Sequence, residues 1–151
     1  MAEKHVDIYK KIVSKKIIMS GYFGFSNSGD DAILKSIIES FKSLDPNLNI
    51  KVLSKDPDLT EREYGVAAVD RFKFFDVRKS LKASDMLISG GGSLLQDKTS
   101  SRSIWYYLLI MKLAKRYKKK VFVYSNGVGP INKRFNRNIT RRVLNKVDYI
   151  T

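Results

Sequence analysis

Three glycine-rich segments hold the residue types best suited to cradling an anion or a polar substrate. They are Gly21-Tyr22-Phe23-Gly24-Phe25-Ser26-Asn27-Ser28-Gly29-Asp30-Asp31, Gly90-Gly91-Gly92-Ser93 and Gly127-Val128-Gly129-Pro130. Glycine lets backbone N–H groups approach a ligand closely, and a helix N-terminus favours negative charge. Each segment alone reads equally well as a tight turn. None matches a nucleotide fingerprint, because there is no GxGxxG opening a helix and no GxxxxGK followed by Ser or Thr. Asp30 and Asp31 have two readings: acids that cap a helix and complement its dipole, or, for Asp30, a general base. Arg102 is either a group that holds a phosphate or sugar hydroxyl, or a solvated surface arginine.

Apolar patterning supplies the elements that would position these groups. Ile17-Ile18-Met19, residues 50–53, residues 66–69, residues 86–89 and residues 121–124 read as short strands. Ile33/Leu34, Ile37/Ile38, Phe41 and Leu44 predict an amphipathic helix ended by Pro46. Further helices are predicted over 74–81, from a cap at Ser103 to near Tyr117, and around Phe135, Ile139 and Val143. Residues 58–64 read as a short helix or loop, and residues 4–14 as a short basic amphipathic helix. Ile104 to Met111 is apolar all round, which suggests a helix covered on both sides, by the sheet and by a further domain; membrane contact is the second reading. Strands alternating with helices predict an α/β fold: a Rossmann-like parallel sheet with helices on both faces. The three glycine segments then emerge at the carboxyl edge, where open α/β sheets bind ligands. Tyr149-Ile150 begins another strand at the end of the sequence, so a fragment or isolated half of a larger architecture is expected.

The 151 residues are 43% hydrophobic, enough for one domain with a core, and no low-complexity stretch suggests disorder. The absence of cysteine excludes disulfides and thiolate metal sites, and His5 is the single histidine, so no metal is expected. Residues 1–16 lack the apolar core of a signal peptide. The formal charge of +14 favours anionic partners. The basic residues at 115–120 and 134–146 are either solvated faces or a surface for anionic lipid.

Taken in order, four stretches carry a resemblance. They are Gly21 to Leu34, Ser89 to Asp97 (SGGGSLLQD), Thr99-Ser100-Ser101-Arg102-Ser103 running into Tyr106-Tyr107, and Gly127-Val128-Gly129-Pro130-Ile131. With these, residues 16–151 resemble the polysaccharide pyruvyltransferase family, and within it the CsaB-type enzymes. Residues 1–15 look like a basic extension to the usual start. The resemblance implies the amino-terminal half of a GT-B-like two-domain fold, with the second half absent. It implies transfer of a pyruvyl ketal from phosphoenolpyruvate to two hydroxyls of a cell-wall polysaccharide sugar, without a cofactor. Asp30 would be the catalytic base. Gly24, Asn27, Gly29, Gly91, Gly92, Ser93, Gln96, Asp97, Arg102, Gly127 and Gly129 would bind substrate. The implied partners are phosphoenolpyruvate and a lipid-linked saccharide at the cytoplasmic face of the membrane, with peripheral contact to anionic lipid. Nucleic acid is not among them, and self-association is left open. Alone, the chain is expected not to transfer pyruvate.

Other classes compete. A GT-B glycosyltransferase half would use a nucleotide sugar instead. A phospho-receiver module needs an Asp ending a central strand, where Ser89-Gly90 stands here. A basic fragment could bind anionic polymer without catalysis.

Overall fold

The structure, a computed structural model, describes residues 16–151. The helix expected over 4–14 therefore lies outside the described residues. The strands are β1 Lys16–Ser20, β2 Asn49–Ser54, β3 Ala67–Asp70, β4 Met86–Leu95, β5 Lys120–Val128 and β6 Tyr149–Ile150. The helices are α1 Ser28–Leu44, α2 Pro57–Tyr64, α3 Phe74–Ala83, α4 Ser101–Arg116 and α5 Arg134–Leu144. All strand pairs are parallel, in the order β3-β2-β1-β4-β5-β6.

Side chains of a strand alternate between faces, and this sheet is apolar on both. Ile18, Leu53, Leu87, Val121 and Val123 pack with Leu81 of α3, Ile104, Leu108 and Met111 of α4, and Val143 of α5. Ile17, Met19, Ile50, Val52, Met86, Ile88 and Phe122 pack on the other face with Leu34, Ile37, Ile38 and Phe41 of α1. Each such side chain contributes about 1.5–3 kcal/mol on burial, so the two clusters clamp the sheet from both sides. Helix α2 starts where the sequence can satisfy its free N–H groups. Asp56 Oδ1 accepts from Leu59 N at 3.0 Å with Pro57 in the first turn, and Gly65 (φ 61°) closes α2 in the left-handed region.

Several boundaries differ from the sequence expectation. The second glycine segment is not a loop, and the third is one only from Gly129: β4 continues through Gly90-Gly91-Gly92 to Leu95, and β5 through Gly127 to Val128. Their tails pair, Gly90 with Tyr124 and Gly92 with Asn126, before the register shifts towards Leu95–Val128. A Cβ on Gly90 would collide with the Tyr124 carbonyl, so glycine is what lets these backbones meet. Helix α1 begins at Ser28, within the first glycine segment. Helix α4 is capped by Ser100, whose Oγ accepts from Arg102 N at 3.1 Å, and not by Ser103. Nor is α4 buried all round, because Trp105 and Leu109 are 47% and 45% exposed. No helix among the described residues is long and apolar enough to cross a membrane.

Candidate functional site at the carboxyl edge

Strand order reverses direction between β1 and β4, and open α/β sheets bind ligands outside the carboxyl ends at such a point. β1 stops at Ser20, in register with Ser89, while β4 runs six residues further, to Leu95. The loop after β1 and the start of α1 lean on this overhang. A Cβ on Gly91 would lie 3.0 Å from Ile33 Cγ2, and one on Gly92 2.7 Å from Asp30 Oδ1. Both glycines have positive φ, 81° and 112°. The Asp30 carboxylate thus lies over the glycine triplet at the switch point.

Asp30 is not the helix cap. Asn27 is, its Oδ1 accepting from Gly29 N at 3.1 Å. Asp30 and Asp31 occupy the first turn, where the helix dipole favours them. Even so, partial burial raises the Asp30 pKa, and the neighbouring Asp31 raises it further. Burial also raises Asp31, with Glu63 adding to the effect. Among the described residues, no hydrogen bond or ion pair reaches the Asp30 carboxylate.

The other candidates separate. Gly24 (φ 76°) packs where a Cβ would strike Ser54 Oγ, so the loop is pinned to the end of β2. Gly127 presses on Ser93, its would-be Cβ 2.7 Å from Ser93 Oγ, and Gly129 N donates to Leu95 O at 2.7 Å. Ser93 is exposed and Gln96 half-buried beside them. Arg102 is exposed on the first turn of α4, not on a loop. Asp97 is buried and accepts three hydrogen bonds. It accepts from Asn132 N at 2.6 Å, Lys133 N at 3.0 Å and Asn136 Nδ2 at 2.8 Å. The Asn132 amide foremost, with Asn136 and Lys133, holds its pKa below the ordinary value in spite of the opposing burial. Asn136 also donates to Ser101 Oγ at 3.0 Å and accepts from Trp105 Nε1 at 2.8 Å. Asp97 therefore fastens the starts of α4 and α5 to the end of β4.

Sequence reasoning missed Arg71. It follows β3 directly, is 6% exposed, and has no carboxylate within ion-pair distance among the described residues. Nη1 donates to Gly21 O at 2.9 Å, and both Nη atoms lie 3.4 Å from the Tyr107 hydroxyl. Rings of Tyr106, Phe25, Tyr107 and Phe72 stand 4.2, 5.1, 5.4 and 5.5 Å from its Cζ. Burial pushes the Tyr106 phenol up to about 12 and raises Tyr107, with Arg71 opposing both. Both phenols are therefore neutral donors near pH 7. Tyr106 donates to Arg71 O at 3.0 Å, while Asp30 and Tyr22 are electrostatic neighbours of Tyr107. The usable signal was an arginine at the carboxyl end of a strand in a parallel sheet.

The sequence profile of the family described as polysaccharide pyruvyl transferase matches residues 27–151. The chain belongs to that family. The matched stretch of this pyruvyl transferase family member starts at the α1 cap, Asn27, and contains Asp30, the glycine triplet, Arg71 and the Asp97 joint; Gly24 lies before it. A crystal structure of a hypothetical protein from Streptococcus mutans is similar to it, at 14% identity and a TM-score of 0.48, over 80% of this chain and 45% of that one. The chain thus spans less than half the length of that protein. No curated protein matches the sequence.

Proposed function

We propose that this chain supplies the acceptor side of a pyruvyl transfer from phosphoenolpyruvate to a lipid-linked cell-wall saccharide. In that reaction a proton adds to the enol methylene and makes it a methyl group. One sugar hydroxyl then attacks the adjacent carbon, losing its proton to a base, and a second hydroxyl displaces inorganic phosphate, which closes the ketal. The group needed from the protein is a carboxylate that is free, near the glycine-lined edge, and slightly more basic than usual. The observation that carries this reading is Asp30: it lies over Gly92 at the switch point, its pKa is raised, and Asn27 relieves it of capping.

The test is a chimaera in which residues 16–151 replace the matching half of a longer family member. Acceptor-dependent phosphate release from phosphoenolpyruvate is expected, and Asp30→Asn should abolish most of it. Turnover only with a nucleotide sugar as donor would replace this reading with a glycosyltransferase.

A further inference from the structure

Buried polar atoms without partners are rare, and each calls for a reason. Of the five such side-chain atoms among the described residues, four belong to the carboxyl edge: Ser20 Oγ, Ser89 Oγ, Asn126 Nδ2 and Arg71 Nε. Ser20 and Ser89 are register partners at the end of the β1–β4 pair. Each comes two residues after a member of the α4-facing cluster, Ile18 and Leu87, so by alternation both belong to the face that carries Tyr107. Arg71 reaches the same place, because its donor contacts are Gly21 O, next to Ser20, and the Tyr107 hydroxyl. Those contacts engage the Nη atoms and leave Nε–H, on the side-on edge of the guanidinium, without an acceptor. That edge takes a carboxylate or phosphate through two parallel bonds. A buried cation with no counter-charge destabilises a fold, and such strain persists where function requires it.

We propose that Arg71 is an anion-binding residue, its side-on edge receiving a carboxylate or phosphate group, with Tyr107 and the Ser20 and Ser89 hydroxyls beside it. Phe25, stacked on Tyr22 at 4.0 Å, stands over the guanidinium, and Nε is closed off from solvent. Entry therefore requires a ring around the guanidinium to move, and Phe25 is on a loop whose Gly24 and Ser26 both have positive φ, 76° and 57°. Which anion arrives rests on the pyruvyl-transfer reading; the site itself does not.

The experiment is a titration of the 151-residue chain with inorganic phosphate, pyruvate, phosphoenolpyruvate and a soluble sugar diphosphate, following the Arg71 Nε–H resonance. A shift with phosphate and both phosphate esters, but not with pyruvate, assigns a phosphoryl site. A shift with pyruvate and phosphoenolpyruvate alone assigns a carboxylate site. Arg71→Lys keeps the charge without the edge and should weaken binding at least about tenfold. Arg71→Met should remove binding while Tm is kept or rises, because an unpaired buried charge is replaced by an apolar chain. Absence of any Arg71 shift, equal affinity in Arg71→Lys, or a large Tm loss in Arg71→Met with binding intact would each overturn the proposal. Anion binding without pyruvyl transfer in the chimaera would remove the proposed function and leave this site standing.

Discussion

Asp30 and Asp97 show how environment divides two acids on one edge. Asp30 is raised by burial and by Asp31; Asp97 is lowered by the amides that it accepts. In the chimaera, Asp30→Asn should cut turnover roughly 100- to 10,000-fold, the usual contribution of a general base. In the chain itself, Tm at neutral pH should hold or rise slightly. The sign follows from the raised pKa: the folded state binds the proton more tightly, so ionising Asp30 above its ordinary value of 3.8 lowers stability. Asn27→Ala is the control, expected to cost about 1 kcal/mol as a lost cap; full turnover in Asp30→Asn would send the search for a base elsewhere. Asp97 has the opposite linkage. Its stabilisation is fully present above 3.8 and lost as pH falls through its lower folded value. Asp97→Asn should therefore lower Tm at pH 7, by more than Asn27→Ala does. The gap to the wild type should narrow in melts taken progressively below pH 3.8.

At the scale of elements, apolar patterning placed all six strands and four of the five helices between them, because buried parallel strands need continuous apolar sequence, whereas the polar stretch that forms α2 reads equally well as a loop. Strand ends were less legible. Gly90-Gly91-Gly92 and Gly127 look like turn residues, yet they extend β4 and β5 beyond the sheet's edge, since only glycine tolerates the contact of the two backbones. The glycines should therefore differ sharply on substitution. Gly90→Ala forces a methyl group into the Tyr124 carbonyl and should leave little folded protein in thermal melts or soluble expression. Gly29→Ala meets only Asn27 Oδ1, at 3.4 Å, and should fold normally. Equal tolerance at both positions would contradict the β4–β5 pairing. The cap of α4 was missed by three residues because Ser100, Ser101 and Ser103 are chemically alike, and only backbone geometry selects Ser100.

Residues 112–146, which hold the end of α4 and all of α5, carry twelve lysines and arginines and no acidic residue. Leu109, Leu113 and Ile139 floor a groove of about 920 Å³ rimmed by Lys112, Lys115, Arg116, Arg142 and Lys146, with no acidic residue in the lining. Lys115 is tied to Asp148 at 2.7 Å. A surface with apolar centre and cationic rim complements an anionic bilayer, where each basic residue near the surface contributes about 1 kcal/mol and the attraction fades over about 8 Å at physiological salt. Co-sedimentation should therefore be stronger with anionic than with neutral vesicles, should weaken as salt rises, and should fall when Lys112, Arg116, Arg142 and Lys146 are changed to Glu. Binding that ignores lipid charge and salt would leave the charge with no membrane role.

The sequence by itself determined the α/β class, the element order and the family, because apolar period and ordered glycine motifs are local properties of the chain. Asp30 was legible as a candidate for the same reason: it ends the most distinctive of those motifs. Whether Asp30 or Asn27 caps α1 depended on where the helix begins, and with the first residue at Ser28 the cap is Asn27. The structural part of Asp97 was not legible, because the partners that it accepts from, Asn132, Lys133 and Asn136, are 35 to 39 residues away. Arg71 carries no local motif at all. Its position under the carboxyl edge exists only once β3, the loop after β1 and α4 are assembled, bringing Gly21 and Tyr107, 50 and 36 residues away, to one guanidinium.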